Sequence, residues 1–555
     1  MIKINNNLVI LEISLLCNDL NLNEKMGLIS FLAFTLLVAG VAYFSTRSTD
    51  EHTSDGYFLG GRSLTAGVIA GSLLLTNLST EQLVGLNGQA YQQGILVMAW
   101  ETMAAIAIVI TALYLLPRYL KQGLTTVPQF LEKRFDTVTK TITSGLFLSG
   151  YVVVLLPIVL YSGAVAFTAM FELPTLLGVS ETASIWICVW GIGIVGSVYA
   201  IFGGLKAVAV SDTINAIGLL IGGLMIPVFG LMYIGDGSML AGLNELVAEN
   251  PAKFDSTGSE DSFVPFSTLF TGMMLINLFY WGTNQAIIQR ALGAKNLVEG
   301  QKGLMLAAFI KILGPIIVVL PGIIAFQIFG GDLETPDSAY GRLVSEVLPK
   351  PLVGFFAAVI FGAILSSFNS ALNSSVTLFG IDIYKEHFNK EASERQVVKA
   401  GKLFGVVLAL LAMFIAPSIA GAGSSLFDYL QEANGIYTIP IFTIIVVGYM
   451  TKRVPAIAAK IGIILGSVVY AILTFVVKPM VLENGGTYPH FIHVLAMLFV
   501  FNVLLMLLIG KLRPRKIPYA IEYTGQVDIK TWKYAVPVGI AICALVVVIY
   551  IIFAK

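Results

Sequence analysis

The chain has 555 residues, 33 of them Lys or Arg and 33 Asp or Glu, so its formal net charge is zero. Hydrophobic residues make up 57% and charged residues 12%, about half the roughly 25% of an ordinary soluble domain. That balance excludes a soluble enzyme, a nucleic-acid binder with a basic face and a disordered chain. It predicts an all-α polytopic membrane protein embedded in a lipid bilayer.

Residues 1–26 read as an N-terminal extension expected to be disordered. Leu8 to Leu16 is apolar but short and broken by Glu12, too little for a signal-peptide core, and Met26 offers an alternative start. Cys17, Cys188 and Cys543 lie far apart, with no spacing for a disulfide framework or a metal site. From residue 27 onward, apolar runs between charged or Gly/Pro-rich breaks predict fourteen spans. They are 27–46, 64–91, 95–117, 141–170, 183–203, 207–234, 264–289, 303–329, 352–382, 403–419, 423–449, 456–477, 488–510 and 534–553, within one transmembrane domain over 27–553. Alternate loops hold 25 Lys/Arg and the opposite set, both termini included, holds seven. By the positive-inside rule both termini are expected outside the cytoplasm, as suits a bacterial inner membrane.

The one basic residue left over is Lys311, inside span 303–329. A lysine at the bilayer centre costs at least about 2.5–3.5 kcal/mol on insertion scales, which makes it a functional-site candidate. The bland alternative is a structural lysine that snorkels or pairs within the bundle.

Polar residues interrupt three spans. Thr76-Asn77-Leu78-Ser79-Thr80-Glu81-Gln82 falls in the middle of 64–91, and Asn277 to Gln285 falls in 264–289. A broken helix at membrane depth is tolerated where it lines a cavity. Interruptions in register between two halves are the sequence pointer to an inverted-repeat transporter with a midplane site. Packing glue between helices is the competing reading. In 352–382, Ser366, Ser370 and Asn373 or Ser374 recur at helical spacing, offering hard oxygen ligands for Na⁺ or, equally, a close-packing stripe. Glu101 and Asp212 complete the polar set: one can accept a solute hydroxyl, the other can attract a cation. No phosphate loop, zinc-protease motif or selectivity-filter sequence is present, and His490 and His493 make a weak metal pair.

At these residues the chain resembles the sodium/solute symporter family, in particular its sodium–sugar (glucose/galactose) branch. The resemblance covers about 27–553 and is carried by Asn277 to Arg290, Gln301-Lys302-Gly303, Lys311, F-L-G-G-R at 58–62, Asn77 to Gln82, the 203–213 stretch and Y-L-Q-E at 429–432. It implies fourteen helices and a five-plus-five inverted repeat with discontinuous first helices. The core repeats would span about 64–234 and 264–449, with 27–46, 456–477, 488–510 and 534–553 peripheral. It implies a sugar ring formed by Gln82, Glu101, Asn277, Lys311 and Gln431, with Asn77 beside it, and an aromatic gate at Tyr280 with Trp281. The Na⁺ site would use the carbonyls of Leu75, Leu78 and Ala363 with the hydroxyls of Ser366 and Ser367; Asp212 would serve an ion exit or second ion site. Two departures stand out: Ala104 where a sugar-binding member offers a serine, and bulky Leu75 and Leu78. The expectation is a Na⁺-coupled hexose symporter, not an enzyme, with no organic cofactor and no obligate protein partner. A carrier of myo-inositol, another polyol or a sugar acid is the alternative, and a transporter-like sugar sensor the rival from another class.

Overall fold

The computed structural model describes residues 22–46, 53–171, 173–333, 335–419 and 426–554. Cys17 and all but the last few residues of the expected extension lie outside them; helix α1 begins at Leu22 and runs to Thr46. Cys188 and Cys543 are free.

Helices account for most of the described backbone, because a chain in hydrocarbon must satisfy its own amides. Those that matter for the site are α2 (Ala66–Asn77), α3 (Thr80–Gln93) and α4 (Ala99–Ile110), then α5 (Thr137–Thr168), α6 (Glu181–Val198) and α7 (Gly204–Ile234). The second half supplies α8 (Gly272–Gly282) and α9 (Gln285–Leu292), then α10 (Leu297–Phe329), α11 (Lys350–Phe388), α12 (Glu394–Ile419) and α13 (Phe427–Met450). Ala456–Glu483, Phe491–Leu512 and Ala535–Phe553 follow as α14, α15 and α16.

Among the described residues, eleven helices are long and apolar enough to cross a membrane, fewer than the fourteen spans expected. Span 27–46 lies within α1, Leu22–Thr46, while 64–91 and 264–289 are each divided by their polar run. The architecture is the inverted-repeat transporter fold, with the first helix of each half discontinuous.

Each interruption is built differently. After Asn77 the chain leaves the helix at Leu78 (φ −75°, ψ 58°) and extends at Ser79 (ψ 176°) before α3 begins. After Gly282 it leaves at Thr283 (φ −135°, ψ −15°), and Asn284 restarts the helix by accepting from the Ala286 N–H at 3.0 Å. The phenol of Tyr151 seals this second restart, donating to Asn284 Oδ1 at 2.7 Å and accepting from the same Ala286 N–H at 3.0 Å. The outer ends of the two broken helices are tied by a short bridge, Leu64 N–H to Gly293 carbonyl at 3.1 Å and Lys295 N–H to Leu64 carbonyl at 3.0 Å. Helix α11 packs along the Glu181–Ile234 stretch, and α2 lies between that stretch and α10.

The turn between α6 and α7 rests on Gly204, whose φ of 58° and ψ of −176° belong to a region essentially confined to glycine. A Cβ there would also stand 3.2 Å from the Tyr57 carbonyl oxygen and ring. Forcing a side chain into such backbone costs of order 1–3 kcal/mol. Gly204→Ala is therefore expected to lower the apparent melting temperature of the detergent-purified protein. An unchanged melting curve would show that the turn can relax.

Candidate functional site at the two helix interruptions

Both interruptions open onto one interior cavity of about 60 Å³, room for a few waters. Asn77, Gln82, Asn277, Tyr280, Trp281, Lys311, Ser367 and Gln431 all line it, and so does Ala104. The structure thus brings together residues predicted from five separate parts of the chain. Glu101 stands directly behind this lining. Its carboxylate accepts from the Lys311 ammonium, which also donates to Asn77 Oδ1. Both charged side chains are essentially inaccessible, at 1% and 0% exposure.

The neighbours complete this cluster. With its amide nitrogen facing the acceptors, Gln82 donates to the Asn77 carbonyl at 2.8 Å and to Glu101 Oε1 at 3.3 Å, and accepts from Asn77 Nδ2 at 3.1 Å. The Tyr280 hydroxyl also reaches the Asn77 side chain. The Trp281 ring lies 5.8 Å from Lys311 Nζ, close enough for a cation–π contact, so this member of the expected gate sits beside the ammonium. Asn277 donates to its own helix at the Met273 carbonyl, 3.1 Å away. Gly314 makes the cluster possible: a Cβ there would fall 2.2 Å from Glu101 Oε2.

A second cluster lies one residue along the break. The Thr76 hydroxyl shares hydrogen bonds with Ser370 at 3.1 Å and Ser366 at 3.3 Å, while Ser367 donates to the Thr76 carbonyl at 3.1 Å. Ala363 lies one turn before Ser366 and Ser367 on α11, and Leu75, Leu78 and Ala363 are all buried. The expected serine stripe divides here. Its upper part meets the break, whereas Asn373 and Ser374 are spent on packing, bonding the Gln289 amide at 3.4 and 2.8 Å.

Lys311 is not the only cation deep in the protein. Arg290, assigned from sequence to a loop, is fully buried. Its Nε donates to Ser72 Oγ at 3.1 Å, and Ser72 in turn donates to Asp212 Oδ2 at 2.6 Å. The guanidinium also reaches Ser370 Oγ and the Ala286 carbonyl, and stands 4.0 Å from the Asp212 carboxylate. Asp212, placed near a helix start by its sequence position, is therefore interior and charge-paired. One signal was available: a helix restarting at Asn284 runs on past residue 289 and carries Arg290 inward. Arg134 is buried too, but its guanidinium clamps backbone carbonyls of Gly448, Thr451 and Val454 at 2.8–3.0 Å. Away from the cavity, burial, His493 and Lys478 push the His490 imidazole down to about 4, leaving it neutral. His493 is used by Thr271 and Ser267 at 2.9 and 3.1 Å. Among the described residues no group of His, Cys, Asp and Glu is arranged to hold a metal ion.

Comparison with known proteins decides the family. The model of the sodium:solute symporter family matches residues 57–466. The chain belongs to that family. It is 46% identical over 527 residues to the uncharacterized symporter YidK of Escherichia coli (95% of this chain, 91% of the relative). It is 35% identical over 473 residues to the sodium/glucose cotransporter of Vibrio parahaemolyticus (80% and 84%). It is 29% identical over 477 residues to sodium/myo-inositol cotransporter 2 of Sus scrofa (80% and 69%). The fold matches a substrate-bound, outward-open Na⁺-coupled sialic acid symporter with a TM-score of 0.72 and 19% identity, over 88% of this chain and 97% of that one. As a sodium:solute symporter, the protein is a membrane carrier whose coupling ion is Na⁺.

Within this symporter the Arg290–Asp212 pair is testable on its own. Removing one partner of a buried ion pair costs about 3–5 kcal/mol, because the other charge is left uncompensated. Arg290→Ala is expected to lower the melting temperature sharply, and adding Asp212→Asn to recover part of the loss. Equal melting temperatures for Arg290→Ala and the parent would remove the pair from the stability argument.

Proposed function

We propose that this symporter imports a hexose such as galactose or glucose, driven by Na⁺, by alternating access. The observation that carries the reading is the interlocked set Lys311–Glu101–Asn77–Gln82 at the first interruption, facing the cavity that Gln431, Asn277 and Tyr280 also line. A sugar presents hydroxyls that both donate and accept, and a mixture of amide, carboxylate and ammonium groups answers both needs. Tyr280 and Trp281 supply aromatic faces for the C–H surface. The sodium/glucose relative at 35% identity supports the same reading. Ala104, which lines the cavity without a polar group, and the myo-inositol relatives support a polyol as the second reading.

In this reading Na⁺ is a substrate that binds between the carbonyls freed around Leu75 to Leu78 and the hydroxyls of Ser366 and Ser367, with the Ala363 carbonyl below. Asp212 lies on its route toward the cytoplasm, and both termini are extracytoplasmic. The ion ties the broken helix to α11, and sugar then favours closure; each ligand must bind one state better than another for coupling to follow. The solute is far larger than a few waters, so the helices that line the cavity must part to admit it. The driving force is sufficient. One Na⁺ moving down about 100 mV gains roughly 2.3 kcal/mol, and a tenfold gradient adds about 1.4 kcal/mol, enough in sum for accumulation of several hundredfold.

The deciding measurement is uptake of labelled galactose, glucose and myo-inositol into proteoliposomes under an inward Na⁺ gradient against a matched K⁺ gradient. Na⁺-dependent uptake of a hexose, competed by one epimer over the other, is expected; Na⁺-dependent uptake of inositol alone would replace the hexose with a polyol. Losing a hydrogen bond to a charged group costs about 1.5–3 kcal/mol, so Lys311→Ala is expected to weaken sugar binding by roughly ten- to a hundredfold. Na⁺ binding measured without sugar should change little; equal damage to both would make Lys311 a structural residue. Ser367→Ala should instead raise the Na⁺ concentration needed for half-maximal uptake, and an unaltered Na⁺ dependence would remove that serine from the ion site.

A further inference from the structure

Glu81 stands in the first turn of α3, just past the interruption, and lines the cavity while only 5% exposed. Ser79 and Tyr280 are its nearby polar neighbours, the Ser79 hydroxyl donating to the Asn77 carbonyl at 3.3 Å, and its Oε2 has no hydrogen-bond partner. The start of a helix favours negative charge in its first turn. That field steadies the charge but fills no lone pair, and a buried acceptor without a donor carries its full desolvation penalty.

The charge count around the cavity gives this bare oxygen a direction. Lys311 is matched by Glu101, and Arg290 stands against Asp212. No cation among the described residues pairs with Glu81. The cavity therefore holds one carboxyl more than it has cations to balance.

We propose that Glu81 is a specificity-determining residue that takes a hydrogen-bond donor of the transported solute, so that the site selects neutral or amino sugars and rejects sugar acids. The proposal rests on the sugar-symporter reading above and narrows it. A hydroxyl or an ammonium group of the solute completes Oε2. A solute carboxylate meets two carboxyls, Glu81 and Glu101, and a single ammonium already engaged by Glu101. In a poorly screened interior that repulsion is strong.

The test uses the full-length protein in proteoliposomes, with Na⁺-driven uptake of whichever labelled solute among galactose, glucose and myo-inositol is carried. Unlabelled glucosamine and glucuronate compete at about pH 6.5, where the amine is protonated and the acid ionised. Glucosamine is expected to compete at least as well as the labelled solute, and glucuronate at least about tenfold more weakly, the size of one lost or opposed charged contact. Glu81→Gln should shrink the gap between the two competitors by about tenfold, whereas Glu81→Asp, which keeps the charge, should preserve most of it. Glucuronate competing as well as the neutral solute, or an unchanged gap in folded Glu81→Gln, overturns the role of Glu81 and leaves the sugar-symporter reading standing. Should Glu81→Gln not fold, the discrimination by the unaltered protein decides. Absence of Na⁺-driven uptake for all three labelled solutes overturns that reading and this inference together.

Discussion

Lys311 carries an ammonium group into the interior of a helix bundle, away from bulk water. A charge so placed persists only if a counter-charge and further acceptors are brought to it. Glu101 supplies the charge and Asn77 the acceptor, and their origins dictate much of the architecture around them. Glu101 comes from α4, Lys311 from α10, and Asn77 from the very end of α2, where the helix gives way. The α10 backbone has to pass close to the Glu101 carboxylate, and Gly314 is the residue that permits it. Breaking the helix after Asn77 and burying a lysine opposite it are thus two parts of one arrangement, since the Asn77 side chain bonds Lys311 and Gln82 while its backbone carbonyl accepts from Gln82.

The same break serves a second cluster on its other side. Thr76 faces Ser366, Ser367 and Ser370 of α11, while the adjoining Asn77 faces Lys311 and Gln82. Two polar environments that differ in chemistry therefore share one stretch of non-helical backbone. Anything that fixes Thr76 against α11 also limits where Asn77 can point. Coupling between two ligands requires that each bias the same set of states, and adjacent residues of an interrupted helix are a short route to that condition.

Much of this was legible in the sequence because its signals are local. Apolar runs mark the helices, a polar run in the middle of one marks a break, and a lone lysine in another demands partners. Gln82, Asn277, Lys311 and Gln431 gather at one cavity as expected, and Ser366 and Ser367 meet the break. What escaped depends on geometry that hydropathy does not encode. Arg290 reads as a loop residue when span 264–289 is taken as one helix; it becomes interior once the chain restarts at Asn284 and continues to Leu292. Its partner Asp212 is expected from sequence only to attract a cation, with no sign of the arginine beside it. Arg134 sits in a polar stretch and is buried by backbone carbonyls, which every residue carries and no sequence pattern announces. A broken span is likewise long enough as a stretch of sequence and too short as either of its helices.

Charge balance also bears on how the membrane potential would act. Lys311 and Glu101 neutralise each other within the protein, and Arg290 and Asp212 stand as a second opposed pair. Neither pair presents a net charge that must be carried across when the carrier changes state. On the reading of a neutral sugar, the solute adds none either. The electrical work then falls on Na⁺ alone, about 2.3 kcal/mol per charge for each 100 mV. Were Lys311 left unpaired, its ammonium would repel the incoming Na⁺, and the field would oppose its return when the carrier resets. Pairing it beforehand lets a cationic side chain hold a sugar without taxing the gradient that drives it.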